Sequence, residues 1–411
     1  MGQPATVTPK LLDRVFRAFH YRDFRLMFIG ACISSIGTWM QNLAQAWLVL
    51  TISGSPFYLG LDAFLSGIPI FLFSLLGGVV ADRVERRRVL LASQYVQMAS
   101  AFILTLLLIF KVVQVWHILC LSFISGFAQS FGGPAYSALI PTLVSKEDMP
   151  NAIALNSIQF NVARVLGPAI GGVAMDKLGA VWCFGLNGIS FLAPVISLLV
   201  LTTRFLPEKT GDSILTSMKQ GFHFIRRQGA MEALIFLGFC VTALAIPLTT
   251  FLPVFAKNIF HGGPETFTLF LCASGIGAVV GALGVAGLGN IEHKGRLALT
   301  MLVLLGAGIS GFALSHSVVL SCALLFFNGI ALMAVFTNVL SLVQLITANE
   351  MRGRVMSVYN AAFRGGMPIG NLLTGWLVPM FTAPAVLAVN GILLVGVGFY
   401  FLLAHRKVAT L

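Results

Sequence analysis

Twelve long apolar runs divide almost the whole chain. Each has about 20 residues or more, the length that an α-helix needs to cross the hydrocarbon core of a bilayer. They lie at 24–52, 57–81, 89–110, 115–144, 152–175, 180–203, 230–256, 265–289, 297–314, 317–346, 353–378 and 382–404. Barrel strands would alternate apolar and polar residues over about ten positions, which these runs do not do. The sequence therefore predicts an all-α membrane protein with twelve transmembrane helices.

Composition supports this fold and argues against enzymatic chemistry. Only 10% of the 411 residues are charged, whereas a soluble chain has about a quarter. The six cysteines fall in apolar runs without paired spacing, which predicts neither a metal site nor a disulfide framework. The sequence contains no nucleophile elbow or phosphate-binding loop. We therefore predict a protein that is not an enzyme and binds no cofactor or metal.

The excess of basic residues is a topology signal. With the N-terminus inside, 21 of the 26 Lys and Arg residues lie on the cytosolic side and two lie deep within spans. The remaining three, Lys111, Lys177 and Lys257, lie on the outer side. This distribution follows the positive-inside rule, so the charge does not indicate a nucleic-acid partner. We expect both termini to be cytosolic in a multi-pass protein of the inner (plasma) membrane.

The chain repeats itself at a spacing of about 200 residues. A shift of 208 places 53–61 on 261–269 and 81–91 on 289–299. A shift of 200 places Arg164-x-x-x-Pro168 on Arg364-x-x-x-Pro368. The repeat predicts two pseudo-symmetric six-helix bundles.

The predicted bundles span 1–203 and 230–411, joined by a cytosolic linker at 204–229. Apolar residues recur in the linker at helical spacing, which predicts a short amphipathic helix there. They are Ile214, Leu215, Met218, Phe222 and Ile225.

A charged loop follows the second span. Gly78, then Asp82-Arg83, then Arg86 to Arg88 resembles the signature loop of the major facilitator superfamily, and it lies between the corresponding helices. "FRLMFIGACISSIGTWMQNLAQAWLVL" and "SLLGGVVADRVERRR" are most similar to the bacterial exporters of that superfamily that include enterobactin and macrolide efflux proteins. In the fifth span, "GPAIGG" resembles the antiporter motif of superfamily exporters.

The resemblance implies alternating access, in which two halves rock about a central site. Asp82, Arg83 and Gly78 are then expected to form a conformational latch, with Asp82 at the N-terminus of the eleventh helix. Two interpretations of Arg86 to Arg88 stay open: contacts to neighbouring helix ends, or topology alone.

The antiporter-like motif also has two interpretations. Its residues are Gly167, Pro168, Gly171 and Gly172. The glycines allow close helix approach and the proline permits a bend. The motif therefore predicts either a seal on the outer side of the cavity or a purely structural packing seam.

Ionisable residues within spans indicate functional sites, because they are costly in lipid. Arg164 and Arg364 each lie about 12 residues from the cytosolic start of their helix, roughly 18 Å deep. We expect them to line the central cavity; the alternative is a structural pair bonded to carbonyls. Asp62 lies about one and a half turns from the outer end of the second helix and is the proton-coupling candidate, unless it is a plain interfacial residue.

Polar residues suggest the rest of the cavity. Ser34, Thr38, Gln41 and Gln45 form one stripe on the first helix. Gln129, Asn161 and Asn360 are further candidates. Where drug antiporters of the superfamily carry an arginine three residues before such a glutamine, this chain has Gly126, so proton coupling of that kind is not expected.

These features together predict a secondary active transporter. It is expected to be an ion-gradient-driven exporter of small amphipathic molecules, siderophore-like or drug-like, and two mid-depth arginines favour anionic ones. The alternative is a lipid or lysolipid flippase on the same scaffold. The expected partners are a small-molecule substrate, a proton or other coupling ion and the lipid bilayer, and the protein is expected to be a monomer.

Overall fold

The computed structural model describes residues 16–202, 222–226, 229–289, 293–404 and 408–410. These residues form twelve long helices and no strand. The helices are α1 (Arg22–Ser53), α2 (Pro56–Arg83), α3 (Arg86–Ile109), α4 (Val115–Leu139), α5 (Met149–Lys177), α6 (Ala180–Val200), α7 (Gly229–Val254), α8 (Pro264–Leu288), α9 (Lys294–Leu314), α10 (Val318–Ile346), α11 (Arg352–Leu377) and α12 (Ala383–Phe399). The predicted all-α membrane fold is confirmed.

Nine of the described helices are long and apolar enough to cross a membrane. The other three, α1, α5 and α11, are as long but less apolar. They carry the polar stripe of the first helix, Arg164 and Arg364. A helix that faces a polar cavity within a membrane bundle does not need an apolar surface all round.

A glycine and a proline mark the connection between the first two helices of each half. Gly54 adopts the left-handed conformation (φ 63°) that ends α1, and Ser55 caps α2, whose first residue is Pro56. In the second half, Gly263 and Pro264 stand at the start of α8. Proline suits this position because the first helical N–H needs no partner within the helix.

Helix packing repeats between α1–α6, the N-half, and α7–α12, the C-half. Within the N-half, α1 packs on α5, α2 on α4 and α3 on α6; within the C-half, α7 packs on α11, α8 on α10 and α9 on α12. The halves meet through α2 with α11 and α5 with α8. These pairings agree with two pseudo-symmetric bundles. The predicted linker lies largely outside the described residues, of which 222–226 are helical.

The odd-numbered helices begin on one side of the bundle, which we call the basic face. Arg22, Arg86, Lys294 and Arg352 begin four of them, and Arg83 ends α2 there. The other side, where α2 and α8 begin, is the opposite face.

Candidate functional site

A cavity of about 670 Å³ extends from the middle of the bundle to the basic face. Met27, Leu90 and Ser137 line it close to that face, whereas Trp39 and Arg364 line it at mid-depth. Its wall is formed by α1, α3, α4, α5 and α6 of the N-half, with Ile70 of α2 and Arg364 of α11. The C-half thus contributes one described residue, and it is a cation.

The opposite face is closed where α2 packs against α11. A Cβ on Gly60 would lie 2.8 Å from the Cα of Gly375, and one on Gly67 would lie 3.3 Å from the Cβ of Pro368. Nearer mid-depth, a Cβ on Gly365 would lie 2.7 Å from the ring of Phe71. Glycine is required along this seam because the two backbones are almost in contact.

A second seam, formed by the packing of α5 against α8, also closes the opposite face. A Cβ on Gly172 would lie 2.8 Å from the Cβ of Thr268, and the Cys272 thiol donates to the Val165 carbonyl at 3.9 Å. The rings of Trp47 and Phe267 stack between α1 and α8 with centroids 6.3 Å apart. The two seams close the opposite face, so this conformation is open towards the basic face alone.

Five of the predicted cavity residues lie in this wall: Ser34, Thr38, Gln129, Asn161 and Arg364. Arg364 is exposed into it and has no ion-pair partner among the described residues. Arg164, its repeat counterpart, lies behind the wall, with its guanidinium 5.9 Å from the ring centroid of Trp39. The predicted arginine pair is therefore unequal in this conformation.

Gln41, Gln45 and Asn360 are not among the residues that line this cavity. Asn360 is exposed about one turn before Arg364, on the same face of α11 and nearer the basic face. The stripe on α1 does form one face, but the cavity ends near Thr38. Between Thr38 and the opposite face, the same face of α1 packs against neighbouring helices. The amides of Gln41 and Gln45 therefore bond to protein side chains.

These two amides belong to a chain of hydrogen bonds that begins at Asp62. Gln45 Nε2 donates to both carboxylate oxygens of Asp62 (3.1 and 2.9 Å), and the Ser122 hydroxyl donates to Oδ1 at 2.5 Å. Gln41 Nε2 lies 3.5 Å from Gln45 Oε1, and Asn187 Nδ2 donates to Gln41 Oε1 at 2.6 Å. We call Gln45, Gln41 and Asn187 the amide chain. It joins α2 to α1, α4 and α6 within the N-half.

Among the described residues, no hydrogen bond or ion pair joins the expected latch residues to α11 in this conformation. Asp82 Oδ1 lies 3.8 Å from Arg86 Nη2 in its own half, with its side chain 40% exposed. Arg83 is exposed, and a Cβ on Gly78 would meet no atom within 4 Å. The predicted contact requires the basic face to be closed, and it stays a prediction.

The three arginines that follow have individual structural roles. Arg86 Nη1 donates to the Ala138 carbonyl near the end of α4 at 3.1 Å. Arg87 donates to the Leu199 and Leu201 carbonyls at the end of α6, at 2.7 and 3.3 Å. Such carbonyls have no partner within their own helix. Arg88 pairs with Glu85 at 2.7 Å. Two of the three thus bind neighbouring helix ends.

The glycines of the antiporter-like motif, all on α5, pack against two different helices. Gly167 and Gly171 seat α5 on α1, where an added Cβ would lie 3.1 Å from Met40 N and Met40 Cα respectively. Gly172 faces Thr268 of α8, in the seam between the halves. Pro168 is buried within α5. The motif therefore contributes both to packing within the N-half and to the seam.

Four amides of the cavity wall were not predicted from the sequence: Gln94 and Gln97 on α3, and Asn156 and Gln159 on α5. Gln97 Nε2 donates to Gln129 Oε1 at 3.3 Å, which joins α3 to α4. Gln94 and Gln97 lie with Leu90 on one face of α3, at spacings of three and four residues. That spacing was visible in the sequence, but two amides in a long apolar run do not show on which side the cavity lies.

The model of the transmembrane secretion effector family matches residues 15–409. Enterobactin exporters EntS of Citrobacter koseri and Escherichia coli are 28% and 27% identical to this chain over 387 residues, covering 92% of it and 91% of their own length. The structure of the nucleoside transporter NupG has a TM-score of 0.71 at 15% identity, covering 93% of this chain and 98% of that one. The human organic anion transporter MFSD10 has a TM-score of 0.65 at 15% identity, covering 92% and 98%. These two likenesses show the fold alone. The chain belongs to the transmembrane secretion effector family of major facilitator transporters.

Proposed function

From that membership we propose that this transporter exports small acidic amphipathic molecules of the siderophore type across the inner membrane. The observation that carries the proposal is the position of Arg364. Among the described residues that line the cavity it is the charged one, and the remaining wall is neutral. A cation at mid-depth of a membrane bundle is costly unless an anion or strong acceptors meet it, so the cavity favours a ligand with an acidic group. The names of the similar enterobactin exporters agree with this substrate class.

Export requires that the cavity load from the cytosol. The positive-inside rule supports a cytosolic basic face, and we propose that both termini lie on that side of the membrane. The conformation described above is then the one that takes up substrate. Both seams between the halves lie within one chain, so a monomer contains the whole transport path.

The two seams support alternating access. Glycine-lined contacts hold the halves together on the opposite face, and the cavity separates them on the basic face. Rocking of the halves would open the seams of α2 with α11 and α5 with α8, and would bring Asp82 towards the start of α11. The polar helices would keep the ligand at mid-depth during this exchange.

Arg364→Gln tests the substrate class. We expect export of a radiolabelled catecholate siderophore from proteoliposomes to fall about 10- to 100-fold, because a charge-assisted hydrogen bond contributes about 1.5–3 kcal/mol. A neutral ester of the same compound should lose much less. Arg364→Lys should restore part of the activity, since lysine keeps the charge but lacks the planar fork.

Arg296→Gln is the matched control, because Arg296 is exposed at the basic face and does not line the cavity. Wild-type handling of the acidic compound by Arg364→Gln would make this arginine structural. A preference of the unmodified protein for quaternary ammonium compounds would contradict the proposal altogether.

An ion gradient supplies the energy, and Asp62 is the coupling residue. Asp62→Asn should abolish gradient-driven export but retain substrate binding and exchange, because the amide cannot change charge. Asp176→Asn is the control, since Asp176 is an exposed carboxylate at the far end of α5. Full gradient-driven export by Asp62→Asn would exclude this role.

A second candidate, a lipid or lysolipid flippase, is favoured by an apolar groove of about 480 Å³ between α3 and α4. It is lined by Val96, Phe123 and Phe127, among others, and Ser93 and Gln97 separate it from the cavity. An acyl chain in the groove with its head group in the cavity would suit a flippase. Faster translocation of a lysophospholipid than of a soluble catecholate would establish this alternative.

A further inference from the structure

We propose that the Asp62 site takes a proton and excludes sodium, and that the amide chain enforces this choice. The inference rests on the proposed ion-driven export and names the ion. It also gives Gln45, Gln41 and Asn187 a role as positioning residues, which act on the coupling site without lining the substrate cavity.

Hydrogen-bond donors already occupy the carboxylate of Asp62. Both oxygens of Asp62 accept from the Gln45 amide nitrogen, and Oδ1 also accepts from Ser122. Sodium is a hard cation that needs several oxygen ligands around it. At this site an NH₂ group, whose hydrogens carry partial positive charge, stands where an oxygen ligand would be required.

A half-turn of the Gln45 amide would convert this site into a cation site. It would direct Oε1 instead of Nε2 at Asp62, and two carboxylate oxygens, one amide oxygen and the Ser122 hydroxyl would then converge. The carboxylate by itself favours the NH₂ of Gln45, whereas a sodium ion at the site would favour Oε1. Ion selectivity therefore depends on what holds Gln45 in its present orientation.

The remainder of the amide chain holds it. Gln45 Oε1 faces the NH₂ of Gln41, and Gln41 Oε1 accepts from Asn187. Since each amide directs its NH₂ towards the next residue, reversal of Gln45 requires reversal of Gln41 and then of Asn187. The donors all point towards Asp62, which is the arrangement that a carboxylate favours.

Asn187 anchors the far end of the chain. It is 2% exposed, its Oδ1 accepts from the Ser190 hydroxyl at 3.1 Å, and a Cβ on Gly37 would lie 2.6 Å from that same oxygen. The absence of a side chain at Gly37 lets α6 bring this amide against α1. Close packing on all sides opposes its rotation.

Ser122 allows the proton to come and go without disturbing the chain. A proton on Oδ1 of Asp62 makes that oxygen a donor, and the Ser122 hydroxyl can accept from it as readily as it donates to the ionised form. Gln45 continues to donate to Oδ2 in both cases. One rotating hydroxyl hydrogen thus accommodates both protonation states.

The helices packed against α2 place few other charged or titratable groups near Asp62. His117 lies about one and a half turns before Ser122 on α4. Arg364 lies on α11 beside Gly365, which contacts Phe71 about two and a half turns from Asp62. The charged residues of α1, α3 and α7 cluster at the basic face. Examples are Arg25 on α1, Arg88 on α3 and Glu232 on α7. Among the described residues, no ion pair includes Asp62.

The experiment compares driving ions in proteoliposomes that contain the full chain. Export of a radiolabelled catecholate siderophore is measured under a proton gradient without sodium, and under a sodium gradient at equal pH on both sides. We expect the proton gradient alone to drive the wild-type protein, and addition of sodium to leave its rate unchanged. Export driven by sodium at equal pH would overturn this inference and leave ion-driven export intact, whereas export driven by neither gradient would overturn the proposed function as well.

Gln41→Met and Asn187→Leu test the amide chain. Either change frees Gln45 to turn, so sodium should slow proton-driven export by about fivefold or more, an effect absent from wild type. Gln344→Met, at an exposed amide on α10, is the matched control. Insensitivity of both folded variants to sodium would show that the chain does not select the ion. If Asn187→Leu fails to fold, Gln41→Met decides the matter together with binding of radioactive sodium to purified protein, which should be detectable only in the variant.

Discussion

Asp62 and Phe270 occupy equivalent places in the two halves, because the shift of 208 residues that aligns α2 with α8 places one on the other. In the N-half, the carboxylate accepts hydrogen bonds from α1 and α4. In the C-half, Phe270 is fully buried between the rings of Phe260 and Phe312, with centroids 5.2 and 5.8 Å away. The same scaffold thus holds a hydrogen-bonded carboxylate in one copy and aromatic packing in the other.

The cavity shows the same division. Its polar wall comes from the N-half, and the C-half adds Arg364. Under the proposed function, an acidic ligand would bind the C-half through its charge and the N-half through its remaining groups. Such a ligand would bridge the two halves, so its binding would bear directly on their relative position.

Phe270→Ala should have the largest effect on stability. Truncation of a fully buried phenylalanine in a packed core costs about 3–5 kcal/mol. We expect a clear fall in the midpoint of thermal unfolding in detergent, whereas Ser122→Ala, in the polar core of the N-half, should mainly alter ion coupling. Leu283→Ala is the control on the same helix, because Leu283 is 64% exposed. Equal destabilisation by Phe270→Ala and Leu283→Ala would remove the distinction between the two cores.

Asn371→Ala should have an intermediate effect, which is a shift in the balance between the open and closed states of the seam between α2 and α11. This residue of α11 is fully buried, and neither atom of its amide has a partner among the described residues. Removal of a buried, unsatisfied amide relieves a penalty of about 1–3 kcal/mol. Since opening of the seam between α2 and α11 would let the amide reach water, we expect the variant to favour the state closed on the opposite face.

Spin-label distances across the opposite face would measure this shift. Asn390→Ala is the contrasting variant, because its amide donates to Thr374 Oγ1 at 3.3 Å and its loss should destabilise the C-half. A shift of Asn371→Ala towards the open state would show that this amide holds the seam closed.

Asp82→Asn should have the smallest effect on the present conformation. Its pairing with Arg86 is long and exposed, and such pairs contribute at most about 1 kcal/mol. If the residue is a latch in the other state, the variant should still shift the balance between the two states while leaving the cavity intact. Unchanged spin-label distances across the basic face, together with normal transport, would exclude the latch.

The helices could be predicted from sequence because their cause is local. A segment in lipid must satisfy its own backbone and present about 20 apolar residues, and both requirements can be read along the chain. The repeat likewise predicted that two similar bundles would meet. The amide chain was not predictable, because periodicity shows that Gln41 and Gln45 share a face of α1 but not which helices close over that face.

Arg164 and Arg364 show where the sequence stops being informative. The same pattern, an arginine four residues before a proline, places both at mid-depth in equivalent helices. Packing places one behind Trp39 and exposes the other in the cavity. The depth of each arginine depends on its position along its own helix, so the sequence determined it. Exposure to a ligand depends on how the two halves are tilted and on the side chains that neighbouring helices bring near, and only the tertiary structure decided that.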